Sequence, residues 1–310
     1  RLRRRRIAPD GKNRVIARSA TRPTTASRHR NLVKAQLLHS HASRLADRGN
    51  YSAATTAFRR ALRLAGRGRA SNPLLLVALL NDFGVVSKYT GRFAHASRMY
   101  LRALRIISGL NGVPNRKELV ATLYHNLAGI EHARRRFASA LRYARRGIAI
   151  RKTIRPRDIP ALAADEAAMA AILFESGRTT ESARIFLRAL GRFRRSLGPK
   201  HYEVGAVLAN LGLVYWKTRR PRAAERTIRH AVSILEAGLG KNHPRTASAL
   251  NNLALICARR GKPAEAGVLY RRVLRILDRQ PRSAYPGASV VRQNYKKLLA
   301  GKMPIRRSPS

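Results

Sequence analysis

The sequence predicts an all-α solenoid, with six helix pairs stacked in line on a 42-residue period and one further helix capping the C-terminal end. Three observations predict it. A chain-reversal signal recurs at Gly49-Asn50, Gly91-Arg92, Arg135-Arg136, Gly177-Arg178, Arg219-Arg220 and Gly261-Lys262, with spacings of 42, 44, 42, 42 and 42 residues. Apolar residues before each turn follow a helical interval, as in Leu250, Leu253, Ala254 and Cys257. Small residues stand seven before and five after the turns, for example Gly84 and Ala96, Gly212 and Ala224, or Ala254 and Ala266. Such pairs mark a close crossing of two antiparallel helices. The large residue four further on (Phe58, Tyr100, Phe186, Ile228, Tyr270) is expected to fill the space between repeats.

Residues 1–30 open with Arg-Leu-Arg-Arg-Arg-Arg and lack apolar periodicity, so they read as a disordered basic tail. The repeat domain is expected over 31–280. Each of its turns needs a residue tolerant of positive φ, which glycine supplies at four of the six. Pro263 suits the first turn of a helix, where no backbone donor is needed. Pro281 and Pro286 interrupt the pattern. Within 281–300 the residues Val290, Val291, Tyr295, Leu298 and Leu299 then give a capping helix, with Arg292, Lys296 and Lys297 on its outer face. Residues 301–310 read as a second disordered tail.

One repeat, Leu250-Asn251-Asn252-Leu253-Ala254 followed by Gly261 and Ala264-Glu265-Ala266, resembles a tetratricopeptide repeat of the kinesin light chain type. The period and the inter-repeat loops Leu197-Gly198-Pro199-Lys200-His201 and Leu239-Gly240-Lys241-Asn242-His243-Pro244 fit that subtype. The resemblance covers about residues 32 to 280. Arg135 and Arg219 depart from it at the turn glycine, and the first and fourth repeats lack the Asn-Leu-Ala core. It implies a right-handed superhelix whose first helices line the concave side.

The 310 residues hold 65 Lys and Arg against 15 Asp and Glu, a formal charge of +50. Internal ion pairs cannot neutralise that excess, which draws the chain to polyanions, acidic proteins or anionic membranes. The single cysteine, Cys257, excludes an intramolecular disulfide. No apolar run approaches the roughly 18 residues of a membrane span. A starting Met and a signal-peptide core are both missing, as expected of a fragment or processed form.

No enzyme, metal or cofactor is expected. Asp165 and Glu166 are adjacent and so diverge around a helix, and His125 and His132 lie seven apart, too far for one metal. Gly238-Leu239-Gly240-Lys241 lacks the spacing and the preceding strand of a phosphate loop. The informative constellation is a polar ladder on the first helices. Asp82, Asn126, Asn210 and Asn252 stand nine residues before their turns, and Asn81, His125 and Asn251 stand ten before. The resemblance places these positions at the groove, where amides offer both donor and acceptor to a peptide backbone. The alternative is that they bond between neighbouring helices and fix the stacking. Lys88, Tyr89, Trp216, Lys217 and Arg259 follow on the same helices and suggest a pocket for an acidic or carboxylate-bearing peptide. Against that, Trp216 also suits packing on the next repeat. The leading expectation is therefore a scaffold holding a partner peptide in the concave groove. Its rival is a nucleic-acid or other polyanion binder using the basic second helices and the N-terminal arm.

Overall fold

The computed structural model describes residues 25–66, 72–278 and 288–303. Within them the chain forms thirteen helices. The six pairs are α1 (Thr25–Asp47) with α2 (Tyr51–Ala65), α3 (Pro73–Tyr89) with α4 (Phe93–Ser108), and α5 (Arg116–Ala133) with α6 (Phe137–Lys152). They continue as α7 (Ile159–Glu175) with α8 (Thr179–Leu197), α9 (Tyr202–Lys217) with α10 (Pro221–Leu239), and α11 (Pro244–Arg259) with α12 (Pro263–Asp278). The last helix, α13 (Ala288–Leu299), covers the open end of the sixth pair. The N-terminal tail expected up to residue 30 lies outside the described residues as far as position 24. From Thr25 the chain is already helical, because neither Gly nor Pro interrupts it between there and Gly49. Most of the expected C-terminal tail also lies outside the described residues.

Every turn is built alike. The backbone N–H one residue past the turn donates to the carbonyl five positions back: Asn50 to Leu45, Arg92 to Ser87, Arg136 to Glu131, Arg178 to Leu173, Arg220 to Tyr215 and Lys262 to Cys257, all at 2.8–2.9 Å. That bond satisfies a helix-end carbonyl and requires a left-handed residue at the turn. The glycines supply it, with φ from 72° to 89°, and Arg135 and Arg219 adopt it too, at 58° and 60°. For a residue with a Cβ that conformation costs about 1–2 kcal/mol, so the geometry of the turn is kept even where its preferred residue is not. Between repeats, Gly198 and Gly240 end their helices at φ 89° and 94°. Three residues further on, the imidazoles of His201 and His243 cap α9 and α11 through Nδ1, accepting from the N–H of Glu203 and Arg245 at 3.3 and 3.1 Å. Burial and the nearby Arg245 push the His243 pKa down, which keeps this ring a neutral acceptor.

The helix crossings explain the small residues. A Cβ on Gly84 would lie 2.4 Å from the Tyr100 ring, and one on Gly212 would lie 2.2 Å from Ile228 Cγ1. The large residue thus covers the small one of its own pair, a contact beyond the expected filling of space between repeats. It reaches the next repeat as well, since the Phe58 and Phe83 rings stack at 5.6 Å and Tyr270 meets Tyr295 of the cap at 5.9 Å. Val291 is the buried anchor of α13, while Val290 and Leu299 stay exposed.

Successive odd-numbered helices approach one another along their backbones, whereas among the described residues successive even-numbered helices stand further apart and meet through long side chains, as Arg229 does Glu265 and Arg272 does Glu236 between α10 and α12. The stack is therefore pinched along its odd helices and splayed along its even ones. It curves with the odd helices inside, as the resemblance implies.

Candidate functional site

On each odd helix the same four positions remain partly open on the inner side: thirteen, nine, six and two residues before the turn. They share one helical face by the 3.6-residue period. From α3 to α11 the thirteenth-before position is small: Ala78, Thr122, Ala164, Ala206 and Ser248, with Gln36 in its place on α1. On the same five helices the sixth-before position is apolar or bare: Val85, Gly129, Ala171, Leu213 and Leu255, with Ser43 on α1. Together they make a groove floor with an apolar stripe beside a row of amides. The sequence alone does not disclose the stripe, because Val85, Leu213 and Leu255 look like ordinary core residues. Only their spacing of three from the ladder marks them.

Asp82, Asn126, Asn210, Asn252, Lys217 and Arg259 all lie on this floor, whereas Asn81, His125, Asn251, Lys88 and Trp216 sit at the seams between helices. The ladder behaves differently in its two halves. In the N-terminal half it is bonded to itself. His39 Nε2 meets Asp82 Oδ2 at 2.7 Å, Asn81 Nδ2 donates to Asp82 Oδ1 at 3.0 Å, and Asn126 Nδ2 donates to Asn81 Oδ1 at 2.9 Å. These bonds tie α1, α3 and α5 together. In the C-terminal half, among the described residues, neither Asn210 nor Asn252 has a side-chain hydrogen bond, and the buried Oδ1 of Asn251 has no partner. The fourth repeat has Ala167 and Ala168 at the ladder positions and leaves a gap between the halves.

The remaining candidates separate in the same way. Trp216 is only 8% exposed and belongs to the core, because its position three before the turn faces the seam. Lys217 is exposed, with its ammonium 5.8 Å from the Phe174 ring centroid. The Lys88 ammonium is laid over Gly129, where a Cβ would approach it to 3.1 Å. Burial lowers its pKa, and among the described residues no carboxylate pairs with it. The Arg259 Nε is buried without a hydrogen-bond partner. Cations therefore gather around α9 and α11, while the floor of α1, α3 and α7 carries Asp47, Asp82 and Glu175.

Beside the groove, ion pairs lock neighbouring repeats. Asp165, 5% exposed, accepts from Arg151 of α6 and meets His125 Nδ1 of α5 at 2.8 Å. Glu166, 1% exposed, points the other way, with Arg188 and Arg192 nitrogens 3.1 and 3.0 Å from its oxygens, in ion-pair contact without hydrogen-bond alignment. Glu225 collects Arg229, Arg260 and Lys262. Burial alone raises a carboxyl, yet the hydrogen bonds from Lys262 and Arg229 and the charge of Arg260 outweigh it and hold Glu225 at about 2. Glu225, Cys257 and Glu265 lie close enough together to suggest a metal site. Three cations already fill that space, and burial followed by the charges of Glu265 and Glu225 pushes the thiol up to about 12, so it stays protonated and a poor ligand.

The array curls far enough to bring its ends towards each other. A cavity of about 580 Å³ lies between the first two turns, at Asp47, Tyr51 and Tyr89, and the start of α11, at His243, Pro244 and Arg245. The floor is thus a bounded trough.

No curated protein matches the sequence. Among solved structures, NprR bound to its cognate peptide NprX is similar with TM-score 0.66 and 13% identity, over 87% of this chain and 72% of that one. The Rap conjugation gene regulator of the plasmid pLS20, in complex with a Phr peptide, gives 0.59 and 15% over 73% of this chain and 63% of its own length. BtubC (BKLC) from P. vanneervenii gives 0.50 and 17% over 92% and 95%. At such identities these likenesses show the fold. Models of the tetratricopeptide repeat match residues 120–158, 161–237 and 224–279, together half of the chain. With six such helix pairs, the chain belongs to the tetratricopeptide repeat family, and its 42-residue unit resembles the kinesin light chain type.

Proposed function

We propose that the chain is a non-enzymatic scaffold that holds an extended peptide of a partner protein along the groove floor, with an acidic stretch of the peptide at α9 and α11. The observation that carries this is the pair of unbonded amides, Asn210 and Asn252, set between small residues and the apolar Leu213 and Leu255. An amide left without a partner on a half-buried floor gains from a peptide backbone that supplies donor and acceptor together. The small thirteenth-before column lets that backbone come close. Lys217 and Arg259 supply charge for an acidic stretch. Two proteins of this fold, NprR and the Rap regulator, are in complex with peptides, which supports a peptide as the class of ligand.

The test is a peptide-display selection on the full chain, repeated with Asn210→Ala combined with Asn252→Ala. Each lost amide forfeits about 1 kcal/mol of net hydrogen bonding, so the double variant is expected to bind selected peptides roughly thirtyfold more weakly. Its urea midpoint should stay within error of the parent. Asn126→Ala should do the reverse, lowering the midpoint because it breaks the bonded half of the ladder. Selected peptides that bind the double variant as well as the parent, or that lack Asp and Glu and ignore Lys217→Gln with Arg259→Gln, contradict the assignment.

A further inference from the structure

The even helices carry a second pattern, on the side away from the groove. Eleven residues after the turn stand Arg60, Arg102, Arg146, Arg188, His230 and Arg272, one in each repeat. Seven after the turn stand Arg98, Arg142, Arg184 and Arg226 in the four middle repeats. These two positions are one helical turn apart, so α4, α6, α8 and α10 each present two basic side chains on one face. Such like-charged neighbours disfavour a helix. No repeat has an acid at seven, ten, eleven or fourteen after the turn. The acids have gone elsewhere. Among the described residues every carboxylate except Asp47, Glu118 and Asp158 meets an arginine, a lysine or a histidine, mostly at the seams between helices. Arg98, Arg102, Arg142, Arg146, Arg184 and Arg226 are exposed and, among the described residues, have no carboxylate partner.

A base composition rich in arginine codons explains many arginines but not two in-register columns free of acids. We propose that these columns are a binding site for the phosphodiester backbone of nucleic acid, contacted without reading of bases. Guanidinium forks match phosphate oxygens in pairs. Among the described residues the columns have no row of amides beside them, and the exposed apolar side chains near them are Leu101, Leu187 and Val268, so a peptide backbone gains little there. A ligand with dense, regular charge gains most, because each neutralised phosphate releases its counterions. Base stacking has no platform: the exposed aromatic residue among the described ones is Tyr89, on α3 and at the groove. This site shares no residue with the groove, so it stands whether or not the peptide assignment holds.

The experiment measures binding of the full chain to two fluorescent 20-base-pair RNA duplexes of unrelated sequence, from 50 to 200 mM salt. Engagement of about six phosphates predicts a loss on the order of a thousandfold across that range, alike for both duplexes. The column variant carries Gln at Arg98, Arg102, Arg142, Arg146, Arg184 and Arg226. A charge-matched control carries Gln at Lys117, Arg157, Lys200, Arg219, Arg222 and Lys241, all exposed and off the columns. The column variant is expected to lose at least about tenfold in affinity at 100 mM salt and to show a shallower salt dependence, with the control close to the parent. Far-UV circular dichroism checks both folds, and the half-set R102Q, R146Q and R184Q, expected to show an intermediate slope, serves if the full set unfolds. Equal losses in column variant and control overturn the proposal, since net charge alone then binds. So does poly-glutamate binding as tightly as the duplexes, or a marked preference between the two sequences.

Discussion

Asp165→Ala will destabilise the array by about 3–5 kcal/mol, the usual consequence of stranding one partner of a buried ion pair. Asp165 holds three helices, taking Arg151 from α6 and His125 from α5 while standing on α7 itself. Arg151 is only 8% exposed, and without the carboxylate its guanidinium has no water to turn to. Asp165→Asn keeps the shape and one acceptor but not the charge, and should fall between the parent and the alanine variant. Urea denaturation followed by circular dichroism reads the effect. An alanine variant within 1 kcal/mol of the parent would show that water reaches the pair and that it contributes little.

The second large effect is a dependence on pH centred on Glu225. Its carboxyl is depressed to about 2 from 4.5 in the unfolded chain, so the unfolded state binds the proton more tightly at intermediate pH. The stabilisation is fully present above about pH 4.5 and is lost as pH falls from there through 2. At 1.36 kcal/mol per unit, the depression corresponds to about 3 kcal/mol. Glu225→Gln imitates the protonated acid and leaves Arg229, Arg260 and Lys262 around it. The stability difference between parent and variant should be about 3 kcal/mol at pH 7 and should vanish towards pH 2. A difference that stays constant over this range would assign the loss to packing instead of charge. Comparing parent with variant at each pH cancels the acid response of the other carboxylates.

What the sequence disclosed was local, and what it hid was long-range. The turns were legible because each needs a positive φ and a fixed set of backbone bonds, and even Arg135 and Arg219 were located by period alone. The crossings were legible because Gly84 and Gly212 leave no room for a Cβ. The ladder was found as a column of polar residues, but its division into a bonded half and a free half was not. That division depends on which helix neighbours a given amide: Asn81 meets Asp82 and Asn126, while Asn210 has Ala168 on one side and nothing to bond. Trp216 was placed in the groove by its chemistry, and one position of helix rotation puts it in the core instead. The anchoring acids were invisible for a similar reason. His125 and Asp165 are 40 residues apart, and Arg260 and Glu225 are 35 apart, so only the stacking brings them together.

The one-sided contact between helices also makes the stack a spring. Its odd helices form a continuous hinge line, and its even helices stand further apart, with α10 and α12 tied by the Arg229–Glu265 and Arg272–Glu236 pairs. The arginines along the outer edges repel, and pushing those edges apart bends the coil more tightly about the hinge. Neighbouring packed helices stand about 8–10 Å apart, comparable to the screening length of about 8 Å at physiological salt. At 0.01 M salt that length grows to about 30 Å, and the repulsion then acts across several repeats at once. A bound polyanion has the opposite effect, neutralising the outer edges and letting the coil relax. The gauge of this movement is the gap where Asp47 and Tyr89 face His243 and Arg245. Small-angle scattering over a salt series would record it as a change in radius of gyration at constant helicity. Whatever lies on the outer face thereby sets the width of the trough on the inner one, and a ligand in the trough must, in return, alter the affinity of the outer face.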